Sequence, residues 1–520
     1  MRFVFERSRL YLKAGLAGLF LGLSISIPSC AVLAFLGLPL LFSLIFKQSF
    51  SRTQVFASAM TAGCVFMGVG YLWMLDLYPL DWSGIHNTAV SAGLVSVAWV
   101  LVSVTSALSL GIWALVSRHL SRGNFVFSAG ACVACVWVVC EKLRAMLVML
   151  LLYSPVSLWT PHLDFHNLGY IAPKFNLLAQ LLPVGGASLI SFVIVFCSWG
   201  FFTLWQSKKY ILLCGVLAGI VCLNALVSLP NTHLEGNPTH VQILTSSFSP
   251  DFSSTGIAAR VSDIQKVLAS TTAPNSVLLL SENSYYLDSL VYNQPIGTVP
   301  PVLNALIIDS SPRAGGHYLY YYRPDTAATV TYQKILLMPQ GEYLMSFEYK
   351  AAKLFKLNTW LQSVRGLQNP KRGKNVEVYT LNSATKIGGL LCSELVSPYL
   401  ARSLVRQGAT FIVIPSSHAV IHGSLVLKRE TLEMAQTRAI ELNRFIVIAG
   451  NGTNSLVVSN QGAIVASIEP EQMASLTDVT VQNTSALTFY ARFGEWIIWV
   501  SVLGVIAALC LRVRPARAKR

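Results

Sequence analysis

Three stretches of the chain end an apolar run on a group that can do chemistry. In Lys386–Tyr399 the glycine-bearing run Ile387–Leu391 reads as a buried strand. It delivers the Cys392 thiol and then the Glu394 carboxylate, before the run breaks towards Pro398. SVLLLSEN (276–283) ends on Glu282, and TVTYQKILLMPQGEY (329–343) sets Lys334 eight residues before Glu342, across a Pro-Gln-Gly turn. Free cysteines are usually small core residues, a strand-end glutamate is usually solvated, and a lysine usually snorkels. Together the three make a set for acyl transfer. A carboxylate takes the thiol proton, the thiolate attacks a carbonyl, and an ammonium holds the oxyanion. Of ten cysteines, nine lie in or beside long apolar runs, and Cys392 alone falls in the polar part of the chain. No disulfide can form within that part, which singles out the thiol. His418 and His422, four apart, offer a competing Cys–His dyad. They read as structural or solvent-facing, with no third metal ligand near them in sequence.

The elements that position these groups belong to a membrane protein. Over 520 residues the chain is 53% hydrophobic and 12% charged, against about 25% charged for an ordinary soluble domain. Apolar runs long enough to span a bilayer fall at 10–27, 30–46, 54–75, 89–117, 125–152, 176–206 and 209–229, with an eighth at 495–511. The basic N-terminal residues raise a signal-peptide reading with cleavage near Ser29. Because another apolar run follows at once, an uncleaved anchor is expected. The net charge of +15 does not point to nucleic acid, since most of the excess is expected beside apolar runs. Arg2 to Lys13, Lys47 and Arg52, Arg118 and Arg122, Lys208 and Lys209, and Arg512 to Arg520 all reach one side if seven spans precede the polar domain and one follows. The positive-inside rule makes that side cytoplasmic. Residues 1–230 are then a transmembrane domain, 231–492 an exported domain, and 493–520 the eighth helix with a basic cytoplasmic tail. Trp73, Tyr78, Trp82, Trp159, Trp496 and Trp499 are expected at outer interfaces.

Within the fifth span, Trp137, Glu141, Lys142 and Arg144 read either as a structural cluster near the interface or as a contact for a lipid headgroup. The polar domain alternates short β runs with helical stretches at 257–270 and 424–443, an α/β pattern. In the second helix Leu425, Leu432, Met434, Ala435 and Ala439 form an apolar face, with Lys428, Arg429, Glu430 and Glu433 largely off it. The stretch 343–367 sets Leu344, Met345, Phe347, Leu354, Phe355, Leu357, Trp360 and Leu361 among lysines. It reads as an amphipathic arm resting on the membrane, able to serve as a lid, or else as an ordinary packed segment.

Glu282, Lys334 and Cys392, in that order, resemble the Glu–Lys–Cys triad of the nitrilase, or carbon-nitrogen hydrolase, superfamily. The whole layout resembles its apolipoprotein N-acyltransferase family. Tyr332, Lys334, Pro339, Gly341, Glu342 and Tyr343 match one motif of that family, and Cys392 with Glu394 match another. Arg438, Ala439, Glu441, Arg444, Asn451 and Gly452 match a later one, and Trp137, Glu141, Leu143 and Arg144 match its membrane segment. Departures are Leu280-Ser281 in place of Trp-Pro, Ser393 in place of Tyr after the cysteine, and Ser416-Ser417-His418-Ala419-Val420 in place of an Asn-Asp-x-Trp-Phe loop.

The resemblance implies about eight spans plus an exported nitrilase-like αββα sandwich in a bacterial inner membrane. It implies a ping-pong reaction without metal or cofactor. Cys392, deprotonated by Glu282, takes an acyl chain from a phospholipid as a thioester, with Lys334 stabilising the tetrahedral intermediate. The α-amine of a diacylglyceryl-cysteine on an apolipoprotein then accepts the chain. Glu342 and Glu394 become supporting carboxylates, Tyr343 and Trp360 substrate contacts, and the chain a monomer. The alternatives are a membrane-tethered amidase using water, or a degenerate homologue that binds lipid or lipoprotein without turnover.

Overall fold

A computed structural model describes residues 2–121, 126–158, 164–227, 238–269, 276–288, 305–313, 315–326 and 328–513. Trp159, Arg122 and the basic residues from Arg514 onward lie outside them. Helices occupy all eight apolar runs: Arg2–Ser26, Ala34–Ile45, Arg52–Gly70, Thr88–Ser121, Val126–Leu151, Leu182–Gln206, Tyr210–Leu226 and Trp496–Val513. Among the described residues, four helical stretches are long and apolar enough to cross a membrane, Pro28–Ile45, Arg52–Leu77, Thr88–Ser121 and Leu182–Gln206. The helix Arg52–Gly70 starts on a reciprocal cap, Ser51 Oγ accepting from the Gln54 amide and the Gln54 side chain from the Ser51 amide.

Among its described residues the polar domain holds twelve strands: β1 (Thr239–Ser246), β2 (Val277–Leu279), β3 (Leu306–Arg313), β4 (Gly316–Arg323), β5 (Ala328–Gln333), β6 (Val378–Thr380), β7 (Lys386–Gly389), β8 (Phe411–Ser417), β9 (Phe445–Asn451), β10 (Ser455–Val458), β11 (Ile464–Ile468) and β12 (Ala474–Val481). They form two layers, β5-β4-β3-β2-β1-β12 and β6-β7-β8-β9-β10-β11. The layers join where Ser246 at the end of β1 pairs with Asn451 at the end of β9. Alternation along each strand builds the core. Val241, Ile243, Val277, Leu279 and Ile308 face Ile387, Phe411, Val413 and Val447 between the layers. Leu244, Leu278, Leu280 and Ile307 turn outward onto the helix Ser254–Ala269 through Val261, Ile264 and Leu268. Gly389 has its reason here, since a Cβ on it would lie 2.1 Å from the Tyr321 hydroxyl of the facing layer. This is the expected nitrilase-like sandwich.

The helix Leu425–Leu442 departs from its expected pattern. Glu430 and Glu433 are buried with the apolar side chains, whereas Leu425 is exposed. The cause is a second packing partner. One side of the helix covers the sheet and the other packs on the membrane helices, where Glu430 meets His166 at 3.1 Å and Glu441 accepts the Ala187 amide at 2.7 Å. Arg438 pairs with Glu441 and donates to the Tyr170 hydroxyl at 2.8 Å. The charges of the fifth run are likewise structural. Glu141 accepts from Trp137, Ser191 and the Leu168 amide, Lys142 bridges Asp164 and Glu495, and Arg144 donates to the Phe165 carbonyl, all buried. These buried pairs fasten the sandwich to the helices, while Glu141 Oε2, Asp164 Oδ1 and Glu495 Oε2 are buried without a hydrogen-bond partner.

Candidate active site

Parallel β2, β7, β8 and β9 flank the joint between the layers, so their carboxyl ends share one edge. Ligands in α/β sheets bind at that edge. Glu282 follows β2, Cys392 follows β7, and Ser416 and His418 lie at the end of β8. β4 and β5 are each antiparallel to their predecessor, which returns the end of β5 to the same edge and supplies Lys334. Strand order alone therefore gathers groups more than a hundred residues apart.

The Lys334 ammonium is 2.6 Å from Glu342 Oε1 and 3.7 Å from Glu282 Oε1, and all three side chains are buried. Burial works against the ammonium, but Glu342, Glu282 and Cys392 outweigh it and hold Lys334 firmly protonated. Burial also pushes the Glu342 carboxyl up. Lys334, His317 and the Met338 amide more than offset this, so the group sits below its ordinary value. Glu282, His317 and Glu342 converge as a metal site would, their ligand atoms within 4.8 Å of one another. The ammonium of Lys334 already supplies a cation there.

Cys392 has φ +46°, in the left-handed region that a non-glycine residue occupies at some cost. Asn283 and Tyr285 after Glu282, and Gln340 between Lys334 and Glu342, share that feature. Each site loop is thus held in an uncommon conformation that aims its side chain. The Cys392 thiol donates to the Ser417 carbonyl (3.9 Å) and accepts from Ser416 Oγ (3.5 Å). Burial, and then the Glu282 carboxylate, push the thiol up to about 12 against the pull of Lys334. At rest the thiol is therefore protonated, and acting as a nucleophile would require a base. Iodoacetamide labelling of Cys392, read by peptide mass spectrometry, should accelerate about tenfold per pH unit from pH 7 to 9. Glu282→Gln should hold more Cys392 as thiolate at a given pH, read by ultraviolet thiolate absorbance, because it removes a charge that opposes the thiolate. A plateau below about pH 8 would contradict this electrostatic picture.

Glu394 is fully buried and does not face the thiol. Its carboxylate accepts from the Tyr332 hydroxyl (2.7 Å) and from the amides of Ile335 (2.7 Å), Leu336 (3.1 Å) and Leu391 (2.9 Å). It clamps the loop after Lys334 onto the turn that carries Cys392. Each buried donor left unpaired costs about 1–3 kcal/mol. Glu394→Ala should therefore lower stability by more than about 3 kcal/mol, an apparent Tm drop of roughly 10 °C. Glu394→Gln, which keeps an acceptor oxygen, should fall between. An unchanged melting curve for the alanine variant would remove this role.

A cavity of about 740 Å³ opens on Glu282, Lys334, Glu342 and Cys392. Its far walls are Leu94, Val97, Leu101 and Val102 of the helix Thr88–Ser121, with Val148 and Leu151 of Val126–Leu151. The expected contacts Tyr343 and Trp360 are not on its walls. Tyr343 is buried and donates to the Leu152 carbonyl at 2.9 Å, tying the arm to a membrane helix. Trp360 packs in a small cluster with Leu344, Ala352, Leu361 and Val364. His418 does line the cavity, and burial, then Lys428, hold it down to about 4, so it is neutral. The thiol's hydrogen bonds go to Ser416 and Ser417. His317, 3.5 Å from Glu342, was not anticipated; its signal was its place beside the Gly315-Gly316 turn at the start of a tyrosine-rich strand.

Two family models match the chain, one described as the apolipoprotein N-acyltransferase N-terminal domain over residues 17–200, the other as carbon-nitrogen hydrolase over 313–488. The chain is similar to the apolipoprotein N-acyltransferase of Thermotoga maritima, 22% identical over 65% of this chain and 65% of that protein's length. It is 25% identical to that of Parasynechococcus marenigrum (83% and 87%) and 22% identical to that of Thermosynechococcus vestitus (98% and 97%). Among solved structures, Nit3 of Saccharomyces cerevisiae, a member of branch 10 of the nitrilase superfamily, is 13% identical over 56% of this chain and all of that one, with a TM-score of 0.33. With one model on the helices, the other on the sandwich, and relatives of a single name along its length, the chain belongs to the apolipoprotein N-acyltransferase family, as a divergent member within the carbon-nitrogen hydrolase superfamily.

Proposed function

We propose that the chain moves an acyl chain from a membrane phospholipid to the α-amine of a diacylglyceryl-cysteine on an apolipoprotein, through a thioester on Cys392. Glu282 takes the thiol proton as sulfur attacks the ester carbonyl, and the Lys334 ammonium holds the developing oxyanion. The C–O bond breaks, the lysophospholipid oxygen receives the proton from Glu282, and the acyl group stays on sulfur. The acceptor amine then attacks the thioester, Glu282 removes its proton, and the thiolate leaves and is reprotonated. Glu342 keeps Lys334 aimed throughout.

One observation carries this reading: a single cavity joins the Glu–Lys–Cys group to an apolar wall made of membrane helices. Stripping an acyl chain of sixteen carbons into water would cost on the order of 10 kcal/mol. A lipid donor therefore needs an apolar path from bilayer to thiol. Leu94, Val97 and Leu101 line the cavity and are exposed, so an acyl chain could reach them. In this reading the chain crosses the inner membrane eight times, with 1–230, 231–492 and 493–520 as its three parts and the sandwich on the periplasmic side. The charge distribution between the apolar runs supports that orientation.

The test supplies purified protein with phospholipid, with and without a diacylglyceryl-cysteinyl peptide. N-acylated peptide and lysophospholipid in equal amounts, and neither with Cys392→Ala, are expected. Free fatty acid formed at the same rate without peptide would indicate an amidase-type hydrolase. Binding without turnover would indicate a degenerate homologue.

A further inference from the structure

Part of the positive charge lies away from the membrane helices. Residues 349–376 contain Lys350, Lys353, Lys356, Arg365, Lys371, Arg372 and Lys374 and no acidic residue. All seven are exposed, and no salt bridge among the described residues involves any of them. Four large apolar side chains are exposed among or just before them, Leu354 at 77% and Phe355 at 70%, with Phe347 and Leu357. Phe347 and Leu354 stand on the short helix Ser346–Leu354, and Phe355 and Leu357 on the turn that leads into a second short helix, Asn358–Ser363. Buried Leu344, Ala352, Leu361 and Val364 hold the pair together, so the apolar tips are exposed on a built element.

The arm is seated at the ends of the membrane helices. The Ser346 amide donates to the Tyr153 carbonyl at 2.8 Å, and Tyr343 reaches the Leu152 carbonyl. On its inner side Phe347, Gly366, Leu367 and Pro370 line the cavity that holds Cys392. Exposed apolar tips ringed by cations, at the level where helices leave a bilayer, complement a surface of anionic headgroups over acyl chains. We propose that this arm binds anionic glycerophospholipid, and so draws anionic donor lipid to the mouth of the active-site cavity. The proposal rests on the acyl-transfer reading only for its second half, because binding itself needs no turnover.

Each cation near an anionic leaflet strengthens attraction about fivefold, and salt weakens it. The test is hydrogen exchange of peptides within 346–376, on the full chain in nanodiscs of phosphatidylcholine alone or mixed with phosphatidylglycerol. The mixture should slow exchange at least tenfold, and salt should reverse the slowing. Lys350→Gln, Lys353→Gln and Lys356→Gln together should abolish it while peptides from β8 and β9 keep their protection. If that triple variant unfolds, the wild-type salt titration decides. Equal protection in both lipids, or protection indifferent to salt, would overturn the proposal. So would protection that appears only on adding a lipidated peptide, which would make the arm a peptide-binding element. Donor choice is read separately: wild type should prefer phosphatidylglycerol over phosphatidylcholine at low salt, and the triple variant should not. Lost turnover with intact lipid-dependent exchange would fault the catalytic reading and leave the binding one standing.

Discussion

Lys334→Met should reduce acyl transfer at least 10³-fold and reverse the pH dependence of stability. Removing one preorganised oxyanion donor typically costs 10²–10³ in rate. Here the same side chain is also the counter-charge of two buried carboxylates, Glu342 at 2.6 Å and Glu282 at 3.7 Å. In the wild type Glu342 is held below its ordinary value. Its contribution to stability is therefore present above the unfolded carboxylate pKa of about 4.3, and is lost as pH falls through the depressed folded value. With methionine at 334, burial dominates and the Glu342 carboxyl rises above the ordinary range. The folded state then gains at low pH and loses stability as pH rises through the raised value. Apparent Tm measured from pH 5 to 8 should be flat for wild type and fall for the variant. Lys334→Arg should not restore turnover, since a planar fork cannot replace a compact ammonium in a closed pocket. A flat Tm profile for Lys334→Met would mean that the buried triad is not electrostatically coupled.

Cys392→Ala should abolish acylation, by 10⁴-fold or more, while barely changing the fold. Nucleophile deletions leave only the residual catalysis of binding and oxyanion stabilisation. The thiol makes two weak hydrogen bonds, at 3.5 and 3.9 Å, and alanine bears the same positive φ as cysteine. Stability should therefore shift by less than about 1 kcal/mol, unlike the Glu394→Ala loss. Inactive but normally melting protein assigns the sulfur to chemistry. If Cys392→Ala retained turnover, the nucleophile would have to be sought elsewhere on the cavity wall.

How much was legible in the sequence follows from what each residue depends on. Cys392, Glu282 and Lys334 stood out because each ends a β run, and the strand order gathers those ends at one edge. Glu394 was legible as a carboxylate near the thiol but not as a clamp, because three of its four donors, the Tyr332 hydroxyl and the Ile335 and Leu336 amides, lie more than fifty residues away. Strand β12 left no signal. It alternates polar and apolar side chains at the outer edge of its layer, and only its eight-residue pairing with β1 defines it. For the helix Leu425–Leu442, periodicity shows one buried face, whereas two layers of neighbours bury nearly all of it. Tyr343 and Trp360 drew notice as large aromatics beside the motif. Whether an aromatic faces a cavity or anchors an arm is set by packing that no local spacing records.

The central claim is that Cys392 carries the acyl group between donor and acceptor. It is tested most directly by the intact mass of the purified protein after incubation with phospholipid and no acceptor. One acyl adduct per chain is expected, removed by hydroxylamine, discharged by a diacylglyceryl-cysteinyl peptide, and absent from Cys392→Ala. An adduct that survives hydroxylamine or persists in Cys392→Ala, or product formed at full rate with no adduct detectable, would contradict it.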